Sequence, residues 1–151
     1  MSEDRTFMMG KFAAHLSGDR LYARNHMWCR PEGDVLRFGF TAYAIRLMQD
    51  VYFLDWCVSA GDEMTRSQQV GHIETSKAVS DLFIPQPGRV LGFNAELNDD
   101  PSGINVDGYG AGWLFEMQGD AAGMRSPQEY VQFLAEGWEA TQRTLKGQFN
   151  E

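Results

Sequence analysis

The stretch that most constrains this chain runs from Gln68 to Val90. Gln68-Gln69-Val70-Gly71-His72-Ile73 is extended in character, and so are Asp81-Leu82-Phe83-Ile84-Pro85 and Pro87-Gly88-Arg89-Val90. Between them lie small polar residues and one lysine, Glu74-Thr75-Ser76-Lys77-Ala78-Val79-Ser80-Asp81. Two short strand-like runs around such a segment predict a hairpin with Lys77 near its tip. A lysine there is a reachable amine on a rigid stalk, which suits attachment of a long prosthetic arm. A lone surface lysine ordinarily means only a solvated charge, so the surrounding sequence has to decide.

It does so through a resemblance. Glu74-Thr75-Ser76-Lys77-Ala78-Val79-Ser80-Asp81 resembles the lipoyl-attachment site of glycine cleavage system H proteins, Glu-Ser-Val-Lys-Ala-Ala-Ser-Asp. Asn25-His26-Met27-Trp28 stands where that family has a His-Glu-Trp motif, and Gly39-Phe40-Thr41-Ala42-Tyr43-Ala44 is similar to its Gly-Ile-Thr-x-x-Ala. Gly61 precedes the lysine at the family's spacing, and Asn94-Ala95-Glu96-Leu97 through Pro101, Asn105, Tyr109-Gly110 and Gly112-Trp113-Leu114 match a second long motif. The likeness covers roughly residues 21 to 138, and in combination its motifs are specific.

The resemblance implies a mainly β fold, a lipoyl-domain hybrid barrel-sandwich with a short helix and a C-terminal helix. It implies lipoate held by an amide to Lys77, a carrier rather than an enzyme, and recognition of the hairpin by a lipoate-protein ligase or lipoyl transferase through Glu74 and Asp81. Asn25, His26 and Met27 would border the cleft that shelters the arm. A biotin carrier also modifies a hairpin lysine, but usually with methionines on both sides; here the neighbours are Ser76 and Ala78.

One departure bears on the pathway. The family's acidic position in His-Glu-Trp is Met27 here, while Asp81 keeps the second acid. A thioether accepts no strong charge-assisted hydrogen bond from an ammonium group. The chain therefore looks more like an H-protein-related lipoate-binding protein of bacterial sulfur oxidation. A heterodisulfide-reductase-like complex and a dihydrolipoamide dehydrogenase would then be its partners. The alternative is a true glycine cleavage H protein, serving glycine decarboxylase and aminomethyltransferase. An unmodified binding module of the same fold is the remaining reading.

Composition sets the outer bounds. The chain has 151 residues, enough for one domain with a real core. Its formal charge of −8 argues against nucleic-acid or anionic-membrane partners. No apolar run approaches bilayer length. The acidic start, Met1-Ser2-Glu3-Asp4-Arg5, argues against a secretory signal or presequence, so a cytoplasmic location is expected. Cys29 and Cys57 form no CxxC motif, and two half-buried free thiols are expected.

The organisation expected is an N-terminal extension (1–20), a β domain (21–125) and a C-terminal helix packed on it (126–151). In the extension, Phe7, Met8, Phe12 and Leu16 suggest a weak helical stripe. Leu21 to Arg30 reads as extended, Pro31-Glu32-Gly33-Asp34 as a turn, and Val35–Phe40, Val51–Trp56, Gly88–Phe93 and Trp113–Met117 as strands. Thr41 caps a helix over Ala42–Met48. Asn94–Gly112 reads as a long polar loop. Its acidic clusters, Asn98-Asp99-Asp100 and Asn105-x-Asp107-Gly108, lack a full calcium-loop spacing. Ser126-Pro127-Gln128-Glu129 opens the last helix with a capping box, and Tyr130, Phe133, Leu134, Trp138, Thr141 and Leu145 form its apolar face.

Overall fold

The computed structural model describes residues 2–149, with side chains through residue 143; Leu145 therefore lies outside the described side chains. The chain opens with strands β1 (Arg5–Met9) and β2 (Phe12–Leu16), followed by β3 (Leu21–Tyr22), β4 (Met27–Glu32) and β5 (Val35–Phe40). Helix α1 (Ala42–Met48) leads into β6 (Val51–Trp56), β7 (Glu63–Met64), β8 (Gln69–Thr75), β9 (Val79–Phe83) and β10 (Gly88–Phe93). Two single-turn helices, α2 (Glu96–Asp99) and α3 (Gly103–Val106), precede β11 (Phe115–Gln118) and the long helix α4 (Pro127–Phe149). The mainly β fold, the short helix α1 and the C-terminal helix α4 are as expected; the single turns α2 and α3 are additional. Among the described residues no helix is long and apolar enough to cross a membrane.

Six strands form an open sheet in the order β3-β4-β5-β11-β10-β7, and β6-β8-β9 form a second sheet. Their inner faces share one core. Leu36, Phe38, Phe115 and Met117 come from the first sheet; Leu54, Val70, Ile73 and Leu82 come from the second. Burial of each such side chain contributes about 1.5–3 kcal/mol. A second cluster joins Phe7 and Leu16 of the first hairpin, Tyr43 of α1, Tyr22, Trp28, and Tyr130 and Leu134 of α4.

The first residues correct the sequence reading. No helix forms there: β1 and β2 pair with Met9 opposite Phe12, leaving Gly10-Lys11 as a two-residue loop. Gly10 has φ +64°, the left-handed conformation such a loop needs. Phe7, Met9, Ala14 and Leu16 alternate inward while Met8 is 52% exposed, so a period of two overrides the helical stripe.

Smaller differences have local causes. The turn near residue 33 is shorter than expected, because Pro31 and Glu32 still pair with Leu36 and Val35. The 94–112 segment is not merely polar: Leu97 and Ile104 are buried from its two helical turns. Asn105 ties it to the β domain, accepting the Val51 N–H (3.0 Å) and donating to the Gln49 carbonyl (2.6 Å). Its acids serve turns, with Asp107 accepting the Ala111 N–H and Asp100 the Ser102 N–H. The last strand begins at Phe115, after Trp113 and Leu114. Both cysteines are free thiols, but neither is half-buried: Cys29 is fully buried, with its thiol pushed up to about 12 by desolvation, and Cys57 is exposed.

Candidate functional site at the lysine hairpin

Strands β8 and β9 form the expected hairpin, with Glu74 opposite Val79 and His72 opposite Asp81. Because β8 also pairs with β6 along Val51–Trp56, the lysine-bearing turn stands on a three-stranded sheet. Thr75 closes the turn. Its N–H donates to the Ala78 carbonyl (2.9 Å), and its Oγ1 accepts the N–H groups of Lys77 (3.2 Å) and Ala78 (3.3 Å). This is a hydroxyl-stabilised turn in which a β-branched residue organises the tip. A second anchor comes from the corner after α1: Ser76 N–H donates to the Asp50 carbonyl (2.9 Å), and Ser76 Oγ accepts the Asp50 N–H (3.2 Å).

Lys77 is half-buried on this pinned turn. A primary amine on a fixed tip is the donor that an amide-linked arm requires, and the residues present fit that group. Glu74 and Asp81 lie on the outer face of the hairpin, where opposite pairs share a side. Asp81 Oδ1 accepts from Gln69 Nε2 at 3.3 Å. On β9, Val79 (67% exposed), Asp81 and Phe83 (43% exposed) alternate outward while Leu82 turns into the core.

The motif at 25–27 disperses. Asn25 Nδ2 donates to the Phe83 carbonyl at 3.0 Å, which attaches it to the base of the hairpin, while its Oδ1 is buried with no partner. Met27 is 1% exposed and fills the shared core, opposite Phe40. His26 belongs to α4: its Nδ1 lies 2.8 Å from the Tyr130 hydroxyl, and its ring packs near Tyr43 and Phe133. Desolvation, with the positive charge of Arg125 as a lesser cause, lowers its pKa to about 4, so the neutral ring accepts the Tyr130 O–H. Desolvation also raises the Tyr130 phenol, which keeps its proton.

Several other motif residues prove to be architectural. Gly39 faces Trp28, and a Cβ there would come within 2.4 Å of the indole. Trp28 Nε1 donates to the Gly108 carbonyl (2.9 Å), and Tyr109 donates its O–H to the His15 carbonyl (2.7 Å). Asn94 Nδ2 holds the carbonyls of Ala111 and Trp113, each at 2.8 Å.

Sequence reasoning missed a set of arginines. Arg24, Arg66 and Arg125 line a cleft of about 440 Å³ at the hairpin base, together with Asn25, Phe83 and Gln86. Their separation along the chain hides the cluster. The only local hint is that Arg24 adjoins the 25–28 motif and Arg66 lies in the turn before β8.

The glycine cleavage H-protein family model matches residues 20–144. The chain belongs to this family. It is 40% identical over 102 residues to a probable glycine cleavage system H protein of Natronomonas pharaonis, covering 68% of this chain and 80% of that one. It is 36% identical over 124 residues to the glycine cleavage system H protein of Rubrobacter xylanophilus, covering 82% and 98%. The crystal structure of a glycine cleavage system H protein from Mycobacterium marinum superposes with a TM-score of 0.67 at 31% identity, over 80% of this chain and 97% of that one. Proteins of the H-protein family carry lipoate and act as carriers rather than catalysts.

Proposed function

We propose that Lys77 carries lipoate as an amide-linked swinging arm that moves a group between partner enzymes in the cytoplasm. The observation that carries this reading is the pinned hairpin tip, in which Thr75 and Ser76, the two residues before the lysine, fix the turn through the N–H groups of Lys77 and Ala78 and through Asp50. Lipoate supplies a strained cyclic disulfide that thiolates open readily. The chain's own part is to present the amine and to dock. Glu74 and Asp81 flank the lysine on one face and would be read by a lipoate-protein ligase or lipoyl transferase. The test is ligation in vitro: the protein should accept one lipoyl group, and Lys77→Arg, which keeps the charge, should accept none. Modification of the Lys77→Arg variant would move the site elsewhere.

For the pathway, the chain's own residues favour relay of sulfur or electrons with a heterodisulfide-reductase-like complex, with a dihydrolipoamide dehydrogenase reoxidising the arm. The specific observation is Met27, a neutral side chain packed in the core where the family's motif has an acid. Of the two acids that the resemblance places at the arm cleft, Asp81 is the one left to meet an ammonium group. The relatives' names favour the other reading, an aminomethyl shuttle for glycine decarboxylase and aminomethyltransferase. Glycine decarboxylation assayed with the lipoylated chain separates the two. A rate typical of an H protein would exclude the sulfur reading, and a rate far below it would exclude the shuttle.

A further inference from the structure

The surface of the lysine hairpin changes sign along its length. Glu74 and Asp81 lie on its outer face, and Asp55 of β6 joins them, because Asp55, His72 and Asp81 stand opposite one another across the three strands. At the hairpin base, Arg24, Arg66 and Arg125 line the cleft, and no aspartate or glutamate does. Three positive charges thus gather in a chain whose net charge is −8.

The fold itself makes little use of these arginines. None of the three enters an ion pair among the described residues, whereas Arg20, Arg37, Arg89 and Arg143 each do. Arg24 and Arg66 are exposed; Arg125 is partly buried and stacks over the Phe133 ring at 4.3 Å. The carboxylate that feels Arg125, Glu129, lies outside the cleft lining and already accepts the Ser126 N–H. A cleft lined by one sign of charge focuses its field on an incoming counter-ion.

The backbone beneath them is braced. Arg125 exchanges both backbone hydrogen bonds with Tyr22, each 2.8 Å, which sets it beside Ala23 and Arg24. Gln86 is 6% exposed and donates to the carbonyls of Asp120 (2.9 Å) and Ala122 (2.7 Å), holding the turn that leads to Arg125. The Arg66 turn is closed by Gln68, whose Oε1 accepts the Thr65 N–H at 3.1 Å. Such preorganisation lowers the ordering cost of binding.

Size and lining select the class of ligand. At about 440 Å³ the cleft suits an organic group, and its walls include Phe83, 43% exposed, with Ile84, Pro85 and Met124. A lone sulfate or phosphate would leave that wall uncovered. A peptide that alternates carboxylates with apolar side chains meets both the wall and the guanidiniums, whose planar forks match carboxylates. The cleft is also continuous with the outer face of the hairpin, since Phe83 shares β9 with the exposed Asp81 and Val79. Val79 to Phe83 spans at most about 14 Å. One side of a standard interface is roughly 30 Å across, so a single partner engaging the hairpin covers both regions.

We propose that the arginine cleft is the docking site for an acidic, partly apolar peptide segment of the enzyme that attaches lipoate. The choice of that partner rests on the carrier reading of Lys77; the chemistry of the cleft does not. The attaching enzyme has to contact the hairpin itself, whereas enzymes that use the arm meet its far end. With its acidic segment in the cleft, the enzyme's basic groups face Glu74 and Asp81. Docked the other way round, it would set like charges together at both ends, so the change of sign fixes its orientation.

The test has two arms. First, the isotope-labelled, unlipoylated full chain is titrated at constant ionic strength with the peptide acetyl-Asp-Leu-Glu-Leu-Asp-amide, with its neutral Asn/Gln counterpart, and with sodium sulfate. NMR should show saturable shifts at the Ser67, Gly123 and Arg125 amides with the acidic peptide, at least about tenfold tighter than with sulfate, and none with the neutral peptide. Affinity should fall at least about tenfold in Arg24→Gln/Arg66→Gln, whose amide spectrum reports its fold, and stay unchanged in Arg30→Gln. Second, lipoate ligation of the full chain is assayed. KM for the chain should rise severalfold in Arg24→Gln/Arg66→Gln with kcat kept, and the acidic peptide should compete with the parent chain.

Absence of saturable shifts with the acidic peptide would overturn the site. Equal binding of the neutral peptide would leave only an apolar groove, and sulfate binding as tight as the peptide's would leave a free oxyanion as the ligand; either overturns the proposal. An unchanged KM together with no competition would overturn the assignment to the attaching enzyme. A parent chain that accepts no lipoyl group at all would instead remove the carrier reading and that assignment, while the peptide titration still decides the cleft.

Discussion

Thr75 Oγ1 accepts the backbone N–H of Lys77 at 3.2 Å, so the residue two positions before the lysine fixes the direction in which the lysine leaves the hairpin. The same hydroxyl accepts the Ala78 N–H, and Ser76 ties the turn to Asp50. The tip is thus organised by hydrogen bonds from side chains as short as Ser and Thr. Lys77 is left at the end of a stalk with few internal degrees of freedom.

Thr75→Val keeps the β-branched shape and removes the acceptor. The exposed bonds contribute on the order of 1 kcal/mol together, so global stability should fall only slightly. Lipoate ligation at Lys77 should slow more than stability falls, because a loosened tip presents the amine in more orientations. Ligation rate against urea stability checks this; a normal rate would show that the closed turn is unimportant for recognition.

Gly39→Ala should destabilise the fold by about 1–3 kcal/mol through overpacking. Its Cβ would meet the Trp28 ring at 2.4 Å, and Trp28 is held by its bond to Gly108. Gly92→Ala is the matched control, since a Cβ there meets nothing within 4 Å. Denaturant midpoints of the two variants should separate clearly.

The hairpin, most strands, α1 and the α4 capping box were legible because each is a local signal. Alternation, a turn cluster or a cap lies within a few residues of where it acts. Ser126 and Glu129 exchange the expected reciprocal bonds, at 2.9 and 3.2 Å. The first hairpin was misread because Phe7, Phe12 and Leu16 satisfy a loose helical spacing, and the decisive information is Gly10 in a left-handed turn. The roles of Asn25, His26 and Met27 could not be separated by sequence, since neighbours in the chain turn to three places: the hairpin base, α4 and the core. The arginine cleft joins residues 24, 66 and 125, contacts that only the tertiary fold creates.

His26 makes stability depend on pH. Its folded pKa is lowered from 6.5 to about 4, so the unfolded chain binds more protons across that interval. Stability is fully present above about pH 6.5 and is lost as pH falls toward 4, by on the order of 2 kcal/mol from this residue. His26→Asn tolerates the observed φ of 68° and removes the titration. The stability difference between pH 7 and pH 4.5 should therefore be smaller in the variant than in the parent protein. An equal difference would place the acid sensitivity on carboxylates alone.

The central claim is that Lys77 bears lipoate, and intact-mass measurement of the protein from its native cells, with the peptide spanning Lys77 sequenced by fragmentation, tests it most directly. A single lipoyl group on Lys77 is the expected result. An unmodified Lys77, in cells whose other carrier proteins are lipoylated, would contradict the account.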